Sequence, residues 1–232
     1  MMLKFKIYKN GQEIAFKKNA QLYDKNFQTL FIFHGLYGRG KNWQTFSKKL
    51  SKEENQIVVT VDLRNHGGND FEEDITYMLM MNDIVSLFNY LGIENTNILG
   101  HSMGGKVAMS FACTYPERVR KLVVVDIAPK YYPPHHQEIL SGLNAVKQAK
   151  IKSRKDADQI LSQYFSESAM RQFLLKNLYW RSSTELTFKF NLKVLSDQIE
   201  NVGQALHTNA LYDKPTLFIV GQSSNYIKVS TY

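Results

Sequence analysis

TNILGHSMGGK, residues 96–106, is a short apolar run followed by a glycine-flanked serine and the first residues of a helical pattern. Gly100, Ser102 and Gly104 within it match the pattern G-x-S-x-G. A serine at a sharp strand-to-helix turn has a strained backbone, so the residues two positions away have to be nearly free of side chain. Such a turn exposes the hydroxyl and directs the next amide, that of Met103, to where it stabilises an oxyanion. The stretch predicts Ser102 as a nucleophile; the alternative is a glycine-rich turn that happens to contain a serine.

Strands and helices alternate on both sides of this turn. A continuous apolar run, typical of a strand buried on both faces of a parallel sheet, occurs at 29–33. Further strands are predicted at 57–63, 96–99 and 122–125. Helical periodicity occurs at 77–91, where Gly92 is a stop signal, and again at 106–114. This order predicts an α/β fold with a mostly parallel sheet.

The beginning of the chain and its second half depart from this alternation. The N-terminus predicts a hairpin with strands at 3–9 and 12–17 around the turn Asn10-Gly11. Residues 130–210 show amphipathic helical patterns and no clear buried strand, and a strand pattern returns at 216–220. We therefore expect a core at 1–129, a helical cap at 130–210 and a return to the core at 211–232.

A second oxyanion donor is expected in HGLYG, residues 34–38, which follows the first buried strand. The carboxyl ends of parallel strands meet at one edge of the sheet, so this loop and Ser102 should lie together. The Leu36 amide is the natural donor, and Gly35 allows the backbone to approach closely. His34 is interpreted as a residue that fixes the loop, with a direct role at the substrate as the alternative.

A carboxylate that orients a base should also lie at the carboxyl end of a strand. No carboxylate follows the strand 216–220, where GQSSNY occupies residues 221–226, and Asp213 precedes that strand at the wrong end. Asp126 ends the strand after the nucleophile helix and is correctly placed. Its alternative role is that of a turn or capping residue before Pro129.

The stretch around Ser102 also resembles part of a nucleotide-binding site. Gly100 and Gly105-Lys106 have the spacing of a phosphate-binding loop, and VVVD at 123–126 resembles the second nucleotide motif. Val107 stands where a serine or threonine would ligate magnesium, and valine offers no oxygen. A nucleotide-binding protein is therefore the minor alternative.

Four motifs together resemble the α/β-hydrolase superfamily and, within it, the YbfF-type esterases: HGLYG at 34–38, VDLRNHG at 61–67, GHSMGGK at 100–106 and VVVDIAP at 123–129. The resemblance implies hydrolysis of a small acyl ester beneath a helical cap. It implies Asp126 as the triad acid and a serine, here Ser224, at the usual acid site. Gly68-Asn69-Asp70 departs from the family, which more often has a serine after the glycine.

The resemblance also implies a catalytic histidine one helix and one strand beyond 216–220. Reaching it takes about 40 residues, so we expect the last strand and helix to be absent, the histidine with them, and the strand 216–220 to have an open apolar edge. His66, His135 and His136 are the candidates for a substitute base. His101 adjoins the nucleophile and His207 lies in late cap sequence; the simpler interpretation is that all five are loop or surface residues.

Aromatic and aliphatic residues of the cap are candidates for an acyl pocket, with ordinary helix core as the alternative: Phe165, Phe173, Leu178, Tyr179 and Trp180. No metal cluster or cofactor motif is visible. The oligomeric state cannot be inferred from the sequence.

Composition narrows the remaining classes. The net charge of +8 is scattered, comes mostly from lysine and is interrupted by acidic residues at 70–74, which argues against a nucleic-acid partner. No apolar run is long enough to span a bilayer, and the N-terminus lacks the apolar region of a signal peptide. With Cys113 as the single cysteine, no intrachain disulfide forms, which indicates a reducing compartment and predicts the cytoplasm.

Overall fold

The computed structural model describes residues 1–16, 28–134, 136–149, 151–183, 185–222, 224 and 226–227. The strands are β1 Phe5–Lys9, β2 Gln12–Ile14, β3 Gln28–Phe33, β4 Gln56–Val61, β5 Thr96–His101, β6 Val119–Val125, β7 Leu178–Trp180, β8 Leu186–Phe188 and β9 Thr216–Ile219. The helices are α1 Gln44–Glu53, α2 Tyr77–Leu91, α3 Met103–Thr114, α4 Gln137–Gln148, α5 Arg154–Leu161, α6 Ser168–Leu175, α7 Leu192–Asp197 and α8 Ile199–Gly203.

The main sheet has the strand order β2-β1-β4-β3-β5-β6-β9 within the described ranges. β4, β3, β5, β6 and β9 are parallel, and β1 pairs antiparallel with both β2 and β4. The predicted α/β fold with a mostly parallel sheet is confirmed. The N-terminal hairpin is confirmed as far as Ile14, and Lys17 lies outside the described residues.

Alternate residues of the central strand β3 pack on opposite faces of the sheet, because successive side chains of a strand point to opposite sides. Leu30 and Ile32 face a small apolar cluster that Leu50 of α1 joins. Phe31 and Phe33 face the main core, where the ring centroid of Phe31 lies 4.6 Å from that of Phe88 on α2. Burial on both faces explains why this strand reads as a continuous apolar run.

The helix predicted at 77–91 is confirmed as α2, and both of its ends have a local cause. The Thr76 side chain accepts a hydrogen bond from the Leu79 amide at 3.2 Å and caps the first turn. Gly92 follows the last turn with φ +69°, a left-handed conformation that glycine adopts without steric cost.

The segment 130–210 contains α4 to α8, and it also contains two strands that we did not predict. β7 and β8 form a separate antiparallel pair in which Tyr179 lies opposite Thr187. The sequence shows no clear buried strand here, and these strands of three residues, each with one buried residue, are too short to display a period of two. The division of the chain after residues 129 and 210 stays a prediction.

β9 lies at one edge of the main sheet and pairs with β6. Leu217, Phe218 and Ile219 are 56%, 46% and 45% exposed. In the part of the chain that the structure describes, the strand at 216–220 thus has an uncovered apolar edge, as expected. Among the described residues, no helix is long and apolar enough to cross a membrane.

Candidate active site

Ser102 occupies a strained turn between β5 and α3. Its backbone has φ +51° and ψ −120°, a combination that residues with a side chain rarely adopt. Two glycines permit the turn: a Cβ on Gly100 would lie 2.2 Å from the Gly104 carbonyl oxygen, and a Cβ on Gly104 would lie 2.4 Å from the Phe33 carbonyl oxygen. The two glycine positions of G-x-S-x-G are therefore set by backbone contacts, and the role of Ser102 as a nucleophile stays a prediction.

Ser102 opens into a narrow cavity of about 30 Å³ between the sheet and the cap. The core contributes Leu36 and Met103 to the wall beside Ser102. The cap contributes apolar and aromatic residues, among them Tyr132, Pro133, Pro134, Ile199 and Val202.

Two backbone amides are available beside the serine. The Met103 amide is the first of α3, where N–H groups have no partner inside the helix. The Leu36 amide lies in the loop at 34–38, and within the described residues neither amide donates a hydrogen bond. Gly35 allows this loop to approach the turn at Ser102, which we call the elbow. A Cβ on Gly35 would lie 3.2 Å from Ser102 Cβ and 2.8 Å from His101 Nδ1. The arrangement suits an oxyanion hole made of the two amides.

His34 and His66 hold this loop from beneath. His34 Nε2 accepts a hydrogen bond from the Leu63 amide at 2.9 Å, and its Nδ1 lies 2.8 Å from the Gly35 carbonyl oxygen. His66 Nε2 accepts from the Tyr37 amide at 3.2 Å, and its Nδ1 lies 2.8 Å from the Arg64 carbonyl oxygen. Each ring therefore carries its proton on Nδ1 and is neutral.

Burial lowers the pKa of His34 to about 4 and that of His66 to about 3, because the charged ring would lose its hydration. The interpretation of His34 as a residue that fixes the loop agrees with this geometry. His66 was a candidate base and is not one here: it is 0% exposed, and both of its ring nitrogens are engaged by backbone groups.

Asp126 follows β6 with φ +55°. Its amide donates to the Ile219 carbonyl oxygen at 2.8 Å, and its Oδ1 accepts from the Gly221 amide at 3.3 Å. Ser224 lies beside it, because a Cβ on Gly221 would be 3.5 Å from Ser224 Cβ and 3.7 Å from Asp126 Oδ1. The structure thus brings Asp126 and Ser224 together at the ends of neighbouring strands. The carboxylate keeps further acceptor capacity for a histidine.

The remaining histidines lie in different surroundings. The His101 ring packs edge-on to Trp43 with centroids 6.3 Å apart, and burial lowers its pKa. His136 lines the cavity beside Ser102 and contacts the Tyr37 ring edge-on at 6.2 Å. His207 lies exposed in a separate groove that Cys113 also lines. His135 lies outside the described residues.

The cap residues that we singled out as candidate acyl-pocket residues, Phe165, Phe173, Leu178, Tyr179 and Trp180, do not line the cavity. Leu178 is 2% exposed and packs in the core, whereas Trp180 is 53% exposed. The cap side of the wall comes instead from residues near 132 and 200. The run YYPP at 131–134 was the available signal, since it marks where the cap begins.

Lys106 is a further cavity residue that sequence reasoning considered only as part of a phosphate loop. Its side chain is buried, and its ammonium donates hydrogen bonds to the carbonyl oxygens of Lys130 and Gln204. This contradicts the nucleotide alternative, in which the same ammonium has to be free to bind phosphate. The described residues also contain no group of three or more His, Cys, Asp or Glu placed to bind a metal ion.

Comparison with known proteins gives the family. A family model described as "alpha/beta hydrolase fold" matches residues 28–154, more than half of the chain. The chain is 33% identical over 203 residues to "Esterase YbfF" of Escherichia coli, covering 87% of this chain and 77% of that protein. It is 35% identical over 210 residues to "sn-1-specific diacylglycerol lipase ABHD11" of Danio rerio, covering 88% of this chain.

The chain spans 66% of the length of that lipase. Among solved structures, a "Marine microorganism esterase" superposes with a TM-score of 0.86 at 31% identity, covering 98% of this chain and 83% of that one. The motifs, the sheet and these relatives agree. The chain belongs to the α/β-hydrolase family.

Proposed function

We propose that this protein is a serine hydrolase that cleaves carboxylic esters with short to medium acyl groups through an acyl-serine intermediate. One observation carries the proposal: Ser102 has the strained backbone of a nucleophile elbow and opens into a cavity walled by Leu36 and Met103. The relatives named as an esterase and a diacylglycerol lipase support an acyl ester as the substrate class. The single cysteine favours a cytoplasmic site of action.

In the proposed reaction Ser102 Oγ attacks the ester carbonyl, and its proton passes to a base. The carbonyl oxygen becomes an oxyanion that accepts hydrogen bonds from the Leu36 and Met103 amides. The intermediate collapses, the alcohol leaves with the proton, and the acyl group remains on Ser102. Water then attacks the acyl-serine, and the carboxylic acid is released.

The base in this proposal is a histidine that Asp126 orients. Within the described part of the chain, no histidine nitrogen hydrogen-bonds to Ser102 Oγ or to Asp126. His136 lines the cavity with Ser102 and is the first histidine to replace. The same observation favours a second candidate, a protein that binds acyl compounds in this cavity without turning them over.

The test is hydrolysis of p-nitrophenyl butyrate by the 232-residue chain, by Ser102→Ala and by Ser110→Ala. Ser110 lies on the same helix and is a matched control. Turnover that persists in Ser110→Ala and is lost in Ser102→Ala supports the proposal, and His136→Asn then tests the base. Equal rates in all three proteins would overturn it for this chain and favour the binding alternative, which butyrate titration by calorimetry would test.

A further inference from the structure

Two segments, which we call the neck, connect the cap to the core: 129–132 and 203–206. They are joined by backbone hydrogen bonds, from the Tyr132 amide to the Gly203 carbonyl oxygen at 2.9 Å and from the Leu206 amide to the Pro129 carbonyl oxygen at 3.0 Å. A Cβ on Gly203 would lie 2.2 Å from the Tyr132 carbonyl oxygen, so only glycine permits this approach. The neck is therefore a closed, directly paired structure.

Lys106 of α3 bridges the two neck segments. Its ammonium donates one hydrogen bond to the Lys130 carbonyl oxygen and one to the Gln204 carbonyl oxygen, so each segment receives one. It also lies 5.1 Å from the centroid of the Tyr132 ring. The side chain is 1% exposed, and no carboxylate pairs with it within the described residues. The two carbonyl oxygens and the ring face therefore compensate its charge.

The same side chain is tied to the nucleophile. Lys106 follows Ser102 by four residues and lies in the first turn of α3. The Lys106 amide donates to the Ser102 carbonyl oxygen at 3.1 Å. Lys106, Tyr132 and Gly203 all line the cavity in front of Ser102. One residue thus fixes the distance between the nucleophile helix and the cap side of the cavity.

We propose that Lys106 is a positioning residue that holds the neck closed and thereby limits the length of the acyl chain in front of Ser102. The inference rests on the proposed function for the meaning of the cavity, although the closure of the neck does not depend on catalysis. The water-sized space in this cavity is about 30 Å³, so a longer acyl chain gains room where the neck residues that line the cavity move apart. The neck forms part of those walls, and Lys106 sets how far they separate.

The energetic cost of losing the two hydrogen bonds from Lys106 to the neck explains why the neck is expected to open. Hydrogen bonds from a charged donor are stronger than neutral ones, and here both go to part-buried backbone carbonyls of the neck. Burial lowers the pKa of Lys106 to about 8, so the ammonium form still predominates at pH 7. Methionine at this position keeps the length and the apolar stem but leaves both carbonyls unpaired. Those carbonyls then take water as their partner, and the neck loses the link that joins both of its segments to α3, so we expect its backbone pairing to loosen.

Hydrogen–deuterium exchange of the neck tests the closure directly. In Lys106→Met at pH 7 we expect the Tyr132 and Leu206 amides to exchange at least tenfold faster than in the parent protein. Lys130→Met is the matched control, because it removes an exposed cation that lies 5.0 Å from the same Tyr132 ring and keeps both carbonyls in place. Unchanged exchange in Lys106→Met, or equal acceleration in both variants, would overturn the proposal.

Acyl selectivity tests the consequence. The ratio of kcat/KM for p-nitrophenyl octanoate to that for the butyrate should rise at least fivefold in Lys106→Met, mainly through KM, and return towards the parent ratio in Lys106→Arg. An unchanged ratio would show that Lys106 does not limit the acyl chain.

Two further arms keep the test decisive. If the parent does not hydrolyse either ester, the ratio of the binding affinities for octanoate and butyrate, measured by calorimetry, replaces the ratio of kcat/KM. A failure of the proposed catalysis then remains distinct from a failure of the proposal for Lys106. If the methionine variant does not fold, Lys106→Gln and Lys106→Arg are compared instead. Equal neck protection in those two variants would then overturn the proposal, because glutamine loses the charge and arginine keeps it.

Discussion

The rings of His34 and His66 lie 5.2 Å apart between centroids, buried beneath the loop that carries the Leu36 amide. Each ring accepts one backbone amide through Nε2, from Leu63 and Tyr37 respectively. Two neutral histidines thus accept backbone hydrogen bonds at fixed positions beneath the loop that carries the proposed oxyanion donor. They tolerate this position only while they remain uncharged.

The first prediction concerns acid stability. The pKa of both rings in the folded protein lies below the ordinary value of 6.5, at about 4 and about 3. As the pH falls below about 6.5 the unfolded chain takes up two protons that the folded protein does not bind, so the stability present above that pH is progressively lost towards pH 4. We expect a slope of up to about 2.7 kcal/mol per pH unit near pH 5.

Urea unfolding between pH 8 and pH 5 measures this slope. His66→Gln should reduce it by up to about 1.4 kcal/mol per pH unit, because the proton that His66 takes up on unfolding no longer contributes. His207→Gln is the control, since His207 is exposed on a loop, and it should leave the slope as in the parent. A stability that stays constant from pH 7 to pH 5 would contradict the prediction.

The second prediction concerns the elbow glycines. A Cβ on Gly100 would lie 2.2 Å from the Gly104 carbonyl oxygen, and backbone cannot move aside as a flexible side chain does. Gly100→Ala should therefore lower the free energy of unfolding by at least about 3 kcal/mol. Gly68→Ala is the control, because its Cβ would have no neighbour closer than 3.6 Å. Urea denaturation compares the two, and equal stabilities would refute the steric argument.

The third prediction concerns the buried ion pair between Arg64, two residues before His66, and Asp83 of α2. Asp83 receives a bidentate contact from Arg64, with Nε to Oδ2 at 2.8 Å and Nη2 to Oδ1 at 3.1 Å. Asp83→Ala leaves the buried Arg64 guanidinium with only the longer contact to Glu72 at 3.5 Å, so we expect a loss near the lower end of the range of about 3–5 kcal/mol that is typical of a broken buried pair. Asp197→Ala breaks the exposed pair with Lys193 and should cost less than about 0.5 kcal/mol. Thermal unfolding of both variants should separate them clearly, and similar losses would show that burial of the pair is not decisive.

The elbow could be predicted from the sequence because its constraints are local. The glycines at 100 and 104 act across four residues, and the strained serine lies between them. That the carboxyl ends of the strands meet at one edge could also be predicted, because it follows from parallel strand order. The place of Ser224 at that edge was implied only by the resemblance to the YbfF-type esterases.

The cavity wall could not be predicted, because it depends on contacts between distant parts of the chain. Lys106 reaches the carbonyl oxygens of Lys130 and Gln204, 24 and 98 residues away. His66 follows a strand whose end lies near the site, but backbone partners turn its ring into the interior. No periodicity or motif in the sequence predicts in which direction these two side chains point.

The last prediction concerns the exposed edge strand β9. Leu217 is 56% exposed on a strand that has a neighbour on one side within the described residues, and exposed apolar edges pair with other chains. We expect the parent protein to associate as its concentration rises and Leu217→Lys to do so far less, because a lysine on an edge strand opposes pairing. Static light scattering across a concentration series measures the association. Phe46→Lys is the matched control, since Phe46 is 43% exposed on the helix α1 and not on a strand, and should leave the association unchanged. Monodisperse parent protein with a sharp, reversible unfolding transition would show that the edge does not drive association.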